Sequence, residues 1–449
     1  MPDPVPELLR RGAELLEAEF PRLPSFELAL DIESARRILA ETAHRLGDNY
    51  PYFHPLYAGQ MLKPPHPVAR AAYALAMTIN PNNHARDGGR ASSEMEIEAV
   101  REMAGMFGWS QYMGHLTSSG TIANLEALWI ADQVAPGKRI VGSEQAHYTH
   151  SRISAVLKLE FTPVEADSCG RMSLEALEAE LRQGDVGTVV VTLGTTAVGA
   201  VDRLDEVLAL RAKYGFRVHV DAAYGGYFRL IADHLDEGAR EAFLATDEAD
   251  SLVIDPHKHG LQPYGCGCVL FRDPAVGRFY KHNSPYTYFT SKELHLGEIS
   301  LECSRAGAAA VALWATQKLL PLTSDGEFAG GLRSGRRAAV ELERRLRRDG
   351  RFEALGSPQL DIVVWKLKAE NSEEASGLAQ KLFDACAAKD LHLALVQLPE
   401  FWFGESASAK AAMVTCLRSV LMKPEHEAWL DRIWSRLEDA TGKVVGHKD

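Results

Sequence analysis

Short β-rich runs with apolar interiors, each closing on a polar or glycine residue or opening from one, set the narrowest limit on what this chain can fold into. They are Thr188-Val-Val-Val-Thr192, Arg217-Val-His-Val-Asp221, Ser251-Leu-Val-Ile-Asp255 and Gly267-Cys-Val-Leu-Phe271. Helical patterns fall in the same stretch of chain. Ser93-x-x-Glu96 has capping-box form ahead of Ile97, Val100, Ala104 and Phe107, and a second helix pattern starts after Gly120 and runs through Leu125 and Leu128. Strands of this kind, separated by helices, are buried on both faces of a mostly parallel sheet, which makes an α/β layered domain.

The flanking regions read differently. Residues 1–60 are helical and connecting sequence, with Leu8, Leu9, Leu15 and Leu16 on or near one helical face and a Pro- and aromatic-rich stretch at 50–55. That segment is too small to hold a core, so it is expected to pack on a larger body or across a dimer. A large domain is expected over 61–306, and a smaller α+β domain over 307–449, entered by a helix from Gly307 to Leu320 and containing a strand at 361–365. The arginines between Arg333 and Arg348 interleave with Leu and Glu, the pattern of a solvated helix face.

Composition removes several function classes. A net charge of −12 argues against a nucleic-acid surface. The six cysteines (169, 266, 268, 303, 386, 416) are too sparse for a disulfide scaffold, and Cys266-x-Cys268 has no second pair at zinc-ribbon spacing. All six are expected to be buried small hydrophobes, with no metal site. The N-terminus lacks the succession of a signal peptide, and no apolar run is long enough to span a bilayer, so a cytoplasmic location is expected.

In an open α/β sheet, ligands collect at the carboxyl ends of the strands, and several clusters stand there. Lys258 follows a strand in Asp255-Pro-His-Lys258, where desolvation would favour the neutral, nucleophilic amine. Asp221 ends a strand in His219-Val-Asp-Ala-Ala-Tyr-Gly-Gly226, and a buried aspartate needs a partner. The protonated pyridine nitrogen of pyridoxal 5′-phosphate (PLP) would supply one, and Ala222, Ala223 and the two glycines leave room for a planar ring. Thr117-Ser-Ser-Gly-Thr121 opens a helix with hydroxyls and free N–H groups, a phosphate cradle. His147, after Ser143, could stack on an aromatic cofactor. Singly, each has a plain structural reading: a surface lysine, an N-cap aspartate, a capping serine, a packed histidine. Their combination is what points to PLP.

In this order the clusters resemble the group II PLP-dependent amino acid decarboxylases of fold type I, which include glutamate, aromatic amino acid and archaeal-type tyrosine/aspartate decarboxylases. The resemblance covers roughly residues 50–320. It implies a Schiff base on Lys258, His257 near the phosphate, Asp221 on the ring nitrogen, and Ala223 and His147 on the two ring faces. It also implies phosphate binding by Ser119, Gly120 and Thr121, Thr196 near the ring 3′-oxygen, and Ser304 reaching a phosphate across a homodimer whose active site lies at the subunit interface. Tyr286 would be the acid that protonates Cα, with Tyr288 in reserve. Two departures stand out: Asp255, an acid close to an expected phosphate, and His259, where many members carry tryptophan or methionine. The implied reaction is decarboxylation of an L-amino acid to its amine. Other PLP fold type I activities (carbon–carbon lyase, aldehyde synthase, aminotransferase) are the alternatives, and a silent PLP-binding protein is the alternative of a different class. His54, Tyr57, Asn80, Asn82, Asn83, His84 and Arg86 precede the phosphate cluster, and leave open whether the substrate side chain is acidic, aromatic or other.

Overall fold

A computed structural model describes residues 3–24, 26–84, 88–281, 300–404 and 412–445 of the chain. Its larger sheet contains β1 (Met113–Thr117), β2 (Arg139–Ser143), β3 (Phe161–Val164), β4 (Val186–Thr192), β5 (Arg217–Asp221), β6 (Ser251–Ile254) and β7 (Gly267–Phe271), in the order β1-β7-β6-β5-β4-β2-β3. Neighbours from β6 through β3 pair in parallel, whereas β7 runs antiparallel to both β6 and β1. Every residue of β2, β6 and β7 is buried, which is why these runs carry no polar alternation.

The antiparallel β7 has a simple cause. A parallel neighbour would need a crossover, usually through a helix. After β6 the chain instead turns back through Asp255–Cys266 without one, and that turn holds Lys258 at the carboxyl edge of the sheet. The helix Gly120–Val134 packs on β6 and β7 and starts on Ser119, whose Oγ accepts the Ile122 amide at 3.3 Å. It thus aims its free amides at the same edge.

A smaller antiparallel sheet has the order β10-β11-β9-β8, from β8 (Phe352–Ala354), β9 (Ile362–Leu367), β10 (Ala394–Pro399) and β11 (Met413–Val420). Helices Glu327–Asp349, Ser372–Ala387 and His426–Val445 cover it, closing a core around Trp365, Leu342, Leu382 and Leu437. As the sequence pattern indicates, the arginines of Glu327–Asp349 sit on a solvated face, pairing with Glu341, Glu427 and Asp431. At the other end of the chain, the helix Val5–Ala18 rests on Pro67–Met77. The helix Ile32–Leu46 buries none of its residues and leaves Ile38, Leu39 and Leu46 mostly exposed.

Two sequence expectations fail. Ser93 and Glu96 are not a capping box: the helix begins at Arg90 after Gly89, and both residues are buried inside it. Glu96 instead takes the Arg305 guanidinium at 2.6 Å and the Leu116 amide at 3.0 Å, because a buried carboxylate must be satisfied wherever it lies. Nor are all six cysteines interior, since Cys169 and Cys303 are exposed. No helix among the described residues is long and apolar enough to cross a membrane.

Candidate active site at the carboxyl edge of the large sheet

A cavity of about 190 Å³ opens at the carboxyl ends of β4, β5 and β6. Asp221 and Lys258 both line it, joined on its wall by His147, Ala223, Thr196 and His257. Ser119, Gly120 and Thr121 contribute the helix N-terminus. Residues predicted from separate parts of the sequence therefore meet in one place.

Asp221 is buried at the end of β5 and surrounded by donors. Its Oδ2 lies 2.8 Å from His150 Nε2 and accepts from Asn124 Nδ2 at 3.4 Å, and its Oδ1 accepts the Ala223 amide at 3.1 Å. An ionised carboxylate only accepts, so His150 carries its proton on Nε2. Burial pushes the Asp221 carboxyl up, but the His150 hydrogen bond and charge, with Lys258 and the Ala223 amide, outweigh it and hold the group well below the usual carboxylate range. Behind Asn124, its Oδ1 receives His219 Nε2 at 2.8 Å, and His219 Nδ1 meets Ser251 Oγ at 2.9 Å. Burial drives His219 down to about 3, so this relay stays uncharged.

His147 flanks the cavity with its Nδ1 held 2.5 Å from Thr149 Oγ1, which fixes the ring plane. Burial lowers its proton affinity, with Asp221 pulling the other way. His257 Nδ1 lies 2.7 Å from the Cys266 carbonyl oxygen and so carries the proton there.

The Asp255 carboxylate stands over the helix N-terminus: a Cβ built on Gly120 would come within 2.6 Å of its Oδ2. The same oxygen is 3.2 Å from Lys258 Nζ and 3.5 Å from His257 Nε2, while Oδ1 is buried without a hydrogen-bond partner. Lys258 is thus an ion-paired, partly exposed amine, with 22% of its side-chain surface accessible, not the deeply desolvated one expected.

The residue set fits PLP. The helix N-terminus with Ser119 and Thr121 is a donor cradle for a phosphate, and Gly120 leaves the space that any side chain would fill. The donor-ringed Asp221 awaits a protonated ring nitrogen, and Ala223 and His147 line the space for a flat ring. Thr192 Oγ1, on the same wall, is buried and without a partner.

Ser304 does not line this cavity within the chain; its Oγ accepts Asn82 Nδ2 at 3.2 Å. Asn82 and Asn83 brace the structure: Asn82 Oδ1 accepts the Arg305 amide at 3.0 Å and Asn83 Nδ2 donates to Glu96 at 2.6 Å. Arg86, Tyr286 and Tyr288 lie outside the described residues. Sequence reasoning missed His150, Asn124, Thr149 and Thr192. The first two had a signal, His150 one turn beyond His147 and Asn124 one turn into the helix that opens at Gly120. Arg418 on β11 was also missed; its Nη1 donates to Gln60 at 3.1 Å, while its buried Nε and Nη2 lack partners.

Comparison with known proteins places this geometry in a family. The model of the pyridoxal-dependent decarboxylase conserved domain matches residues 6–368. The L-tyrosine decarboxylase of Enterococcus faecium is 28% identical over 74% of this chain and 72% of that protein. A probable L-tyrosine/L-aspartate decarboxylase of Methanothermobacter thermautotrophicus is 26% identical over 72% of this chain and 86% of its own length. Among solved structures, Oryza sativa TDC with PLP and tryptamine superposes with a TM-score of 0.79 at 17% identity, covering 99% of this chain and 98% of that one.

Proposed function

The chain belongs to the pyridoxal-dependent decarboxylase family, a PLP-dependent carboxy-lyase acting on an amino acid, and from that premise we propose which of its residues do the work. Lys258 would be the amine that holds the cofactor covalently. Asp221 grips the protonated ring nitrogen, and its ring of donors keeps it ionised for that task. His147 and Ala223 would hold the ring between them, and Thr196 would serve its 3′-oxygen. Ser119, Gly120, Thr121 and His257 hold the phosphate. Once bound, PLP supplies an electron sink for the pair released as the Cα–carboxylate bond breaks.

Each residue then has a physical task. Asp221 stabilises the positive charge at the ring nitrogen without rearranging, because its neighbours already point their donors at it. Tyr286 is the proposed acid that returns a proton to Cα, and Tyr288 its substitute. In Tyr286→Phe assayed in air, part of the product should become aldehyde and ammonia, with O₂ as the two-electron oxidant reduced to H₂O₂; an unchanged amine-to-aldehyde ratio removes the role.

Tyrosine and aspartate are the first substrates to try, on the strength of the relatives' names. A homodimer is proposed as the working form. The apolar, uncovered residues of the helix Ile32–Leu46 support it, as a partner would bury them. The exposed free thiols of Cys169 and Cys303 suit a reducing compartment, and we propose the cytoplasm.

The observation that carries the reading is the shared cavity of Lys258 and Asp221. Purified protein with PLP should release CO₂ and form amine from one or a few amino acids, and Lys258→Ala should abolish both. Keto acid without CO₂ would instead mark a transaminase, and binding without turnover a silent PLP protein.

A further inference from the structure

A second cavity, of about 690 Å³, is joined to the wall of the first by a hydrogen bond and a ring contact of Tyr224. Tyr224, on the wall of the cofactor cavity, donates its hydroxyl at 2.5 Å to Asp361 Oδ1, and Asp361 lines the second cavity. The deep wall also carries His259, Lys63 and Lys423. Unlike Lys258, its neighbour in sequence, His259 belongs to this second space.

The donors there are under-used. Lys423 is 2% exposed; its Nζ is held by the carbonyls of Tyr57 at 2.6 Å and Leu62 at 3.4 Å and lies 5.2 Å from the Tyr57 ring centroid. Lys63 Nζ meets only the Met422 carbonyl, at 3.3 Å. Among the described residues neither ammonium has a carboxylate within ion-pair distance. His259 is 2% exposed and neither ring nitrogen makes a hydrogen bond; Nε2 lies 3.3 Å from Asp361 Oδ2 without the alignment of one. The wall's other acids, Glu327 and Glu425, are exposed and solvated, and Arg337 is already paired with Glu427. Burial pushes Lys63 down to about 8 and Lys423 down to about 7, and Lys63 further depresses Lys423. Two lysines and an imidazole without hydrogen-bond partners thus line one roomy polar cavity, and among the described residues its acids, Asp361 and Glu425, form no ion pair with either lysine.

We propose that this second cavity binds a small oxyanion, a phosphate or a carboxylate, between Lys63, Lys423 and His259. The ligand's oxygens accept the unused ammonium hydrogens and one imidazole N–H, which restores the charge balance that the buried lysines lack. The cavity has room for a molecule of metabolite size. Its Asp361–Tyr224 link puts the bound anion one hydrogen bond from the wall of the cofactor cavity.

The test is calorimetric titration of the PLP-loaded enzyme with inorganic phosphate and, separately, succinate, at fixed ionic strength in potassium chloride. Loading with PLP first occupies the cofactor's own phosphate cradle. One saturable site is expected for at least one of the two anions, and the one that binds identifies the ligand as a phosphate or a carboxylate. Lys63→Met and His259→Leu, each with its PLP absorbance retained, should weaken that binding by about tenfold or more, as expected for a lost charge-assisted hydrogen bond. The absence of saturable binding for both anions, or unchanged affinity in both variants, overturns the proposal.

Discussion

Replacing Asp221 by asparagine keeps the side-chain shape and removes the charge, so its effect can be worked from the neighbours. His150 Nε2 at 2.8 Å, the Ala223 amide at 3.1 Å and Asn124 Nδ2 at 3.4 Å all present hydrogens. A carboxylate accepts all of them with its two oxygens, whereas an asparagine must turn its own NH₂ toward at least one. That leaves a buried donor unsatisfied, a loss of about 1–3 kcal/mol in stability. The catalytic loss is larger, because the ring nitrogen's proton loses a preorganised counter-charge. About 2.7–4 kcal/mol is the scale for removing one such electrostatic element, or about 10²–10³ in kcat. The assay is CO₂ release at saturating amino acid, with PLP content measured on the same sample and unfolding followed in urea. A variant that retains PLP and turns over within about threefold of the parent would refute the role given to Asp221, because that corresponds to well under 1 kcal/mol.

Other perturbations reach different parts of the account. Arg305→Met strands the buried Glu96 carboxylate, whose ion pair is 2.6 Å long, and should lower stability by about 3–5 kcal/mol, while adding Glu96→Gln should recover part of that loss in urea unfolding. Gly120→Ala places a methyl within 2.6 Å of Asp255 Oδ2, and should weaken PLP binding by about 1–3 kcal/mol, measured by equilibrium titration, with the fold kept. Acid should destabilise the protein through His219 and His426, both driven by burial down to about 3. Their unfolded forms take up protons below about 6.5 and the folded forms do not, so stability is present above that pH and falls by up to about 1.4 kcal/mol per unit per histidine as pH drops toward 3. Asp202 and Asp361, raised by burial to about 6, oppose this between about 4 and 6, where the folded state holds protons that the unfolded state has released. Urea midpoints measured across this range should therefore slope least between about 4 and 6, and a midpoint that rises on acidification from neutral pH would contradict the assignment.

Much of this was legible in the chain. Strands β6 and β7 announce themselves because burial on both faces leaves no polar alternation, β4 and β5 by their β-branched valines, and the ends of β5 and β6 name Asp221 and Asp255. The cofactor set was legible because its parts are local: a helix start at Ser119, a strand end at Asp221, a turn at Lys258. What stayed hidden depends on tertiary contact. Nothing adjacent to Glu96 in sequence announces Arg305, 209 residues away, so its capping-box spacing was misleading. The spacing of His150 from His147 and of Asn124 from Gly120 hints at the site, but only the fold shows that both meet Asp221. Lys63, His259, Asp361 and Lys423 come from four separate stretches of chain, and only the tertiary fold assembles them.

The most direct test of the central claim is chemical. Protein saturated with PLP is reduced with borohydride, digested, and mapped by mass spectrometry for the phosphopyridoxyl adduct. One adduct per chain is expected, on the peptide carrying Lys258, with its loss in Lys258→Ala. An adduct at another lysine, or none in protein that still decarboxylates an amino acid, would contradict it.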